Sequence, residues 1–393
     1  MKFTRTMFAS SAATALLLAG CNGADAPATN TAHAADVAGP EVVDDSVSSE
    51  YQPLRIVRVA GNLSNPWAVA FLPDGRYLVT ERGGRLLIID NGSATEVSGV
   101  PEVAAQRQGG LLDVSLHPDF ESNSFVYLTY SKGSGDTTTA LSRGRLDGTQ
   151  LTDVELLFEQ DRVSERGRHY GSRLAWMNDG TLLMSIGDRG ADPPRAQDVG
   201  DHAGTLLRLT DDGGVPDDNP LLDHDGALPE IYSYGHRNIQ GLVYDADTGR
   251  IWATEHGPRG GDELNLIRPG ANYGWPVAGK GRDYRTEEPY GETRSRDGMV
   301  DPVYEFLPTL APSGLALVTS DRYSRWQGNL LAGGLRAERI RRVVIENETV
   351  VHEEELIHGL IGRIRDVRES PDGYIYVVTD ESDGGLYRLE PRD

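Results

Sequence analysis

One cysteine, Cys21, stands in 393 residues. An internal disulfide and a cysteine-built metal site are therefore excluded. Lysine and arginine number 38 against 60 aspartates and glutamates, for a formal charge of −22. A chain so short of cations does not neutralise a phosphate backbone, so nucleic acid is excluded as a partner. Past the first twenty residues no apolar run reaches bilayer length. Long stretches with a 3.6-residue apolar period are missing, which argues against helical bundles. Zinc-ligand spacing, a nucleophile elbow and a phosphate-cradling glycine loop are missing too. What is plentiful is glycine, with 46 residues, and proline, with 21, the punctuation of frequent turns.

Residues 1–20 read as a secretory signal: Lys2 and Arg5, then an apolar stretch ending in Leu16-Leu17-Leu18. Leu18-Ala19-Gly20-Cys21 resembles the bacterial lipoprotein processing site. That resemblance implies a lipidated Cys21 and a domain anchored on the periplasmic side of a bacterial envelope. The alternative is an ordinary cleaved signal with an incidental cysteine. Residues 21–50 hold no aromatic residue and no amphipathic period, and are expected to be a flexible tether. The folded domain is then 51–393. Net charge favours a soluble, self-repelling particle and leaves monomer and homodimer both open.

The domain reads as short strands between turns. Leu54–Val59 stands first. Trp67–Phe71, Arg76–Thr80 and Arg85–Ile89 follow, separated by Pro73-Asp74-Gly75 and Gly83-Gly84, as a meander. Similar units start at Gly110, Ser172, Ile239, Ser313 and Ile364, the last around Pro371-Asp372-Gly373. Six similar meanders predict an all-β, six-bladed β-propeller. The last unit lacks one strand after Gly385–Leu389, and Leu54–Val59 is expected to supply it and close the ring. A β-sandwich is the alternative.

Polar residues recur just before the first strand of successive units. They are Gln108, His169 within Arg168-His169-Tyr170-Gly171, Arg237-Asn238, and Arg363 with Arg365. In a propeller these positions converge on one end of the axis. Arg237, Arg363, Arg365 and Arg336 make that end cationic within an acidic protein, and a polycarboxylate ligand would balance them. His169 is the candidate general base, with a hydrogen-bonded channel residue as the plainer reading. His236 reads as packing. Between Glu255 and Pro276 lie Glu255-His256-Gly257-Pro258, the acidic pair Asp262-Glu263, and Tyr273-Gly274-Trp275-Pro276. Carbonyl and carboxylate oxygens without cysteine suit a hard cation such as calcium. A glycine-rich loop with a solvated acidic pair is the bland alternative.

Together, Gln108-Gly109-Gly110-Leu111-Leu112-Asp113, Gly235-His236-Arg237-Asn238, the Glu255–Pro276 stretch and Arg363-Ile364-Arg365-Asp366-Val367 carry a family resemblance over about residues 52–390. The chain resembles the soluble aldose sugar dehydrogenases, six-bladed propellers that use pyrroloquinoline quinone and calcium, and is similar to the soluble quinoprotein glucose dehydrogenases. The resemblance implies oxidation of an aldose at C1 to a lactone. Hydride would pass to the quinone, His169 would act as base, and an unidentified acceptor would reoxidise the cofactor. It implies that Gln108, Arg237, Asn238, Tyr284, Arg336, Arg363 and Arg365 contact the quinone, which carries three carboxylates. The carbonyls of Gly257 and Pro258 would hold one calcium, and Glu263 and Tyr273 a second, structural one. The chain departs from the family at Arg168 (an acid in the glucose dehydrogenases), Ser172 (commonly Gly), Ile239 (commonly Pro) and Arg336 (commonly Lys). A propeller lactonase with axial metal carboxylates and a non-catalytic binding propeller are the competing readings.

Overall fold

The computed structural model describes residues 34–36, 38–165 and 167–392. The expected signal and Cys21 lie outside the described residues. No helix among them is long and apolar enough to cross a membrane.

Six antiparallel sheets follow one another along the chain as the blades of a propeller. The first blade runs outward through Pro66–Phe71, Tyr77–Glu81, Arg85–Asp90 and Ser93–Glu96. The second uses Leu111–Leu116, Phe125–Ser134, Asp136–Asp147 and Gln150–Glu159. The third uses Leu174–Trp176, Leu182–Ile186, Thr205–Leu209 and Ile231–Tyr234. Ile239–Asp245, Arg250–Glu255, Asp262–Ile267 and Tyr304–Phe306 form the fourth, and Pro312–Leu317, Leu330–Gly334, Arg339–Glu346 and Thr349–Leu356 the fifth. In the sixth, Ile364–Glu369, Ile375–Thr379 and Gly384–Pro391 pair onward to Leu54–Leu63, with Leu389 opposite Ile56. The ring is thus closed by the N-terminal strand, as the meander count predicts.

Segment 21–50 differs from the expected tether within its described part. Ala34–Asp36 pairs with Ser93–Glu96, and Glu41–Val47 is a fifth strand beside Leu54–Leu63. Its side chains are mostly exposed, which hides the strand from a reading of apolar pattern. Backbone pairing and Glu50 hold it instead. The Glu50 carboxylate accepts from Arg342 at 2.7 Å and from His352 at 2.7 Å, both on the fifth blade.

Inner strands read as near-continuous apolar runs because both their faces are buried. Leu182–Ile186 and Ile375–Thr379 are buried throughout. The apolar side chains form clusters shared between neighbouring blades, such as Leu78, Leu86 and Leu111 with Leu128, or Val318 and Leu331 with Val367 and Val377. No blade buries its faces alone, and so the ring stabilises each member.

At the axis the apolar filling gives way to charge. Arg173, buried in the third blade, donates to Asp366 Oδ1 at 2.8 Å, to the Gln240 carbonyl at 2.7 Å and to the Arg365 carbonyl at 2.8 Å. Its guanidinium lies 4.1 Å from the centre of the Trp67 ring. Arg368 donates to Asp366 Oδ2 at 2.8 Å and to Asp113, whose other oxygen accepts from the Leu174 amide at 2.9 Å. Five blades meet in this cluster. Removing one partner strands a buried charge, so Asp366→Asn is expected to cost about 3–5 kcal/mol of unfolding free energy. Urea denaturation measures it; a loss below about 1 kcal/mol would mean the cluster does not bind the blades together.

Candidate functional site

Adjacent strands run antiparallel, so the start of a blade's first strand and the end of its second emerge on the same face. Both sets of loops meet over one end of the axis and line a cavity of about 250 Å3. The first set brings Gln108, His169, Arg237, Asn238, Arg363 and Arg365. The second brings Arg82, His256 and Asp380 to the same cavity. Asp188 arrives by that route too, in an adjoining cavity of about 390 Å3 that shares His169, Arg237 and Tyr284.

His169 is held at three points. Its amide donates to Gln108 Oε1 at 2.8 Å, its backbone sits at φ 53°, and its Nδ1 lies 2.6 Å from Asp188 Oδ1. Asp188 also accepts from Trp275 Nε1 at 2.8 Å and from the Gly190 amide at 2.8 Å. Burial alone would raise the Asp188 pKa, but His169, Arg237 and Trp275 outweigh it and hold the group below the ordinary value. An ionised Asp188 accepts only, so Nδ1 carries the imidazole proton and Nε2 keeps its lone pair. Burial and then the Arg237 charge push the His169 pKa down, against the opposing pull of Asp188. The ring is therefore neutral at neutral pH and able to take a proton.

The main cavity carries four guanidinium groups, Arg82, Arg237, Arg363 and Arg365, against one lining carboxylate, Asp380. Asp380 Oδ2 accepts from Arg365 at 2.8 Å and from Arg363 at 3.2 Å. Arg365 Nε is buried with no hydrogen-bond partner. Unspent donors and excess positive charge fit a ligand with several carboxylates. Asn238 Oδ1 accepts from the Gly171 amide at 3.1 Å, and Arg237 donates to the His256 carbonyl at 3.2 Å. His256 is partly buried and, through desolvation first and Arg237 next, held well below the usual histidine range.

An insertion over residues 268–303, between the third and fourth strands of the fourth blade, covers this end. Reciprocal backbone bonds between Arg259 and Arg282, at 2.9 and 3.1 Å, clamp it to the Gly257–Gly261 turn. It supplies Trp275, with Tyr290 stacked on it at 4.6 Å, and Tyr284, whose hydroxyl donates to the Pro258 carbonyl at 2.7 Å. Gly257 donates to Asp262 Oδ1 at 3.0 Å, and a Cβ there would meet the Gly260 carbonyl at 2.1 Å, so the turn requires glycine.

The structure thus gathers Gln108, His169, Arg237, Asn238, Tyr284, Arg363 and Arg365 around one cavity. Arg336 is exposed and outside its lining, where its neighbour Leu335 stands. Glu263 and Tyr273 lie deeper in the fourth blade. The Tyr273 hydroxyl is occupied, donating to the Leu266 carbonyl at 2.7 Å and accepting from the Arg268 amide at 2.8 Å. Its ring stacks at 4.5 Å on His236, which bonds Ser233 and Glu255 and is a packing residue, as expected. The Tyr273 hydroxyl is thus tied to the backbone at Leu266 and Arg268. Glu263 is opposite Glu255 in the strand register, and burial followed by the Glu255 charge pushes its pKa up to about 8. Sequence reading missed Asp188, His256, Arg82 and Asp380, and the polar residues that follow each second strand were the signal for them.

The Glucose / Sorbosone dehydrogenase family model matches residues 63–388. The aldose sugar dehydrogenase of Escherichia coli is 41% identical over 341 residues, covering 84% of this chain and 91% of that one. Quinoprotein glucose dehydrogenase B of Acinetobacter calcoaceticus is 28% identical over 411 residues, covering 82% of this chain and 84% of that one. The solved pyrroloquinoline-quinone-bound form of the Streptomyces coelicolor aldose sugar dehydrogenase superposes with a TM-score of 0.72 at 30% identity, covering 88% of this chain and 100% of that one.

An acid whose pKa is raised by folding costs stability as pH climbs from its unfolded value to its folded one. Wild-type stability should therefore fall between about pH 4.5 and about pH 8 through Glu263. In Glu263→Gln that portion of the decline should vanish when melting temperature is followed against pH in chelator; unchanged curves would show that Glu263 ionises freely.

Proposed function

The chain belongs to the glucose/sorbosone dehydrogenase family, and from that premise we propose that it oxidises aldoses at C1 to lactones with pyrroloquinoline quinone and calcium. The observation that carries the reading is one juxtaposition. A neutral histidine, oriented by a buried carboxylate, faces a cavity with four guanidinium groups and one acid.

Gln108, Arg237, Asn238, Tyr284, Arg363 and Arg365 would hold the quinone, and the Gly257 and Pro258 carbonyls would hold the calcium beside it. When bound, the quinone supplies a two-electron acceptor for the C1 hydride and calcium a Lewis acid. His169 Nε2 takes the proton from the C1 hydroxyl. Asp188 stabilises the imidazolium that results and keeps the ring in one tautomer. Trp275 and the Gly190 amide hold Asp188 in place. Arg363 and Arg365 would stabilise the negative charge that develops in the cavity as the sugar is oxidised. The cationic secretory start and Cys21 support a lipid-anchored enzyme on the periplasmic side, with sugar and acceptor reaching it there.

Dye-linked oxidation of an aldose panel is expected to require both added quinone and calcium; oxidation by protein stripped of both overturns the cofactor reading. His169→Ala should lower kcat by about 10²–10⁴-fold while quinone still binds by titration. Because the His169 pKa is lowered, the acid limb of kcat/KM should lie below the ordinary value of 6.5. Asp188 is what holds that pKa up, so Asp188→Asn should move the limb further down and lower kcat. A limb that stays in place under Asp188→Asn separates the carboxylate from the base.

A further inference from the structure

Beyond the vestibule that His169 shares with Asp188, Trp275 and Tyr290, the same end of the protein holds one more cavity. It is lined by Arg107, Glu165, Arg168 and Arg285. Arg168 and Arg285 line the vestibule as well, so the two spaces adjoin. Three guanidinium groups meet one carboxylate there, in a chain whose formal charge is −22. The local sign is the reverse of the global one. Neither Arg107 nor Arg285 has a carboxylate at ion-pair distance among the described residues.

Three chain segments that the fold positions separately make this pocket. Arg107 stands just before the second blade's first strand, at φ 56°, and its carbonyl accepts from Arg82 of the main cavity. Arg168 precedes the base directly and donates to the Gly190 carbonyl at 3.1 Å. Arg285 comes from the insertion, beside Asp283, which is already occupied by the Arg285 amide at 2.8 Å and the Thr286 amide at 2.9 Å. Asp283 thus serves its own turn and stands close enough to Arg285 for the two charges to interact.

We propose that this pocket binds an oxyanion carried by the substrate at a distance from C1, so that the preferred aldoses are acidic: uronic acids or sugar phosphates. The inference rests on the aldose reading above. With C1 against His169, the far end of the sugar points through the vestibule toward Arg168 and Arg285. Paired guanidinium donors match a carboxylate or a phosphate, and because Arg107 and Arg285 are exposed the attraction is one that salt screens. The positive pocket also offsets the repulsion that an acidic protein exerts on an anionic substrate.

Glucose, its uronic acid and its 6-phosphate are compared as substrates of the quinone- and calcium-loaded protein, with a neutral dye in excess. Calorimetric binding of each sugar is measured in parallel. At low ionic strength one anionic sugar should exceed glucose in kcat/KM by about tenfold or more, through KM, and salt should erase the difference. Preference for the uronate or for the phosphate identifies the oxyanion. Arg107→Gln and Arg285→Gln should each lower the anionic-to-neutral ratio of kcat/KM. Equal kcat/KM and equal binding for all three sugars overturn the proposal and leave aldose oxidation standing. A ratio untouched by both substitutions, or an effect of Arg107→Gln confined to the KM of an anionic dye, overturns it too and assigns the pocket to the acceptor. Oxidation and binding of none of the three overturn the aldose reading itself.

Discussion

The buried ion cluster of Arg173, Asp366, Arg368 and Asp113 is the constraint on which the rest of the molecule hangs. A ring of blades must fill its own centre, and here buried charge does so, whereas apolar side chains fill the space between blades. Guanidinium groups of Arg173 and Arg368 meet carboxylates from the second and sixth blades, which offset their desolvation. The gain is positional. Arg173 grips the carbonyls of Gln240 and Arg365, so the backbone that presents Arg365 to the cavity is fixed from below. Structural charge under the cavity and functional charge within it belong to one continuous arrangement.

Above that cluster the site works by asymmetric neutralisation. Asp380 is shared by two arginines, Asp188 by a histidine and an indole, and Glu255 by His236 and the Arg237 amide. Each acid has a fixed task, and the guanidinium groups are left in excess. This sets the state of His169: desolvation and Arg237 keep it uncharged, while Asp188 keeps it oriented. A neutral, aimed base beside a cationic cradle is a combination that neither group provides alone.

Much of this was legible in the sequence, because a propeller repeats. Turns such as Pro73-Asp74-Gly75 and Pro371-Asp372-Gly373 mark the blades, and the residues before each first strand fall together by periodicity alone. Gln108, His169, Arg237, Asn238, Arg363 and Arg365 could be collected that way. Asp188, His256 and Asp380 obey the same geometry from the other side of the hairpin, but they sit among many similar exposed polar turns. Arg173 and Asp366 are separated by 193 positions, and nothing local in either segment announces the other. The strand Glu41–Val47 was hidden because its side chains face water and its place depends on backbone pairing and on Glu50. The partners of the Tyr273 hydroxyl, the Leu266 carbonyl and the Arg268 amide, are likewise set by the fold and not by any local pattern.

The seam of the ring joins Leu54–Leu63 to Gly384–Pro391. During synthesis the early strand emerges some 300 residues ahead of this partner, so one of its two edges waits unpaired while five blades assemble. The circle is completed only when Gly384–Pro391 is free of the ribosome. A chain that stops short of Gly384–Pro391 therefore presents an open, sticky edge to proteases and chaperones, however well its first five blades have formed.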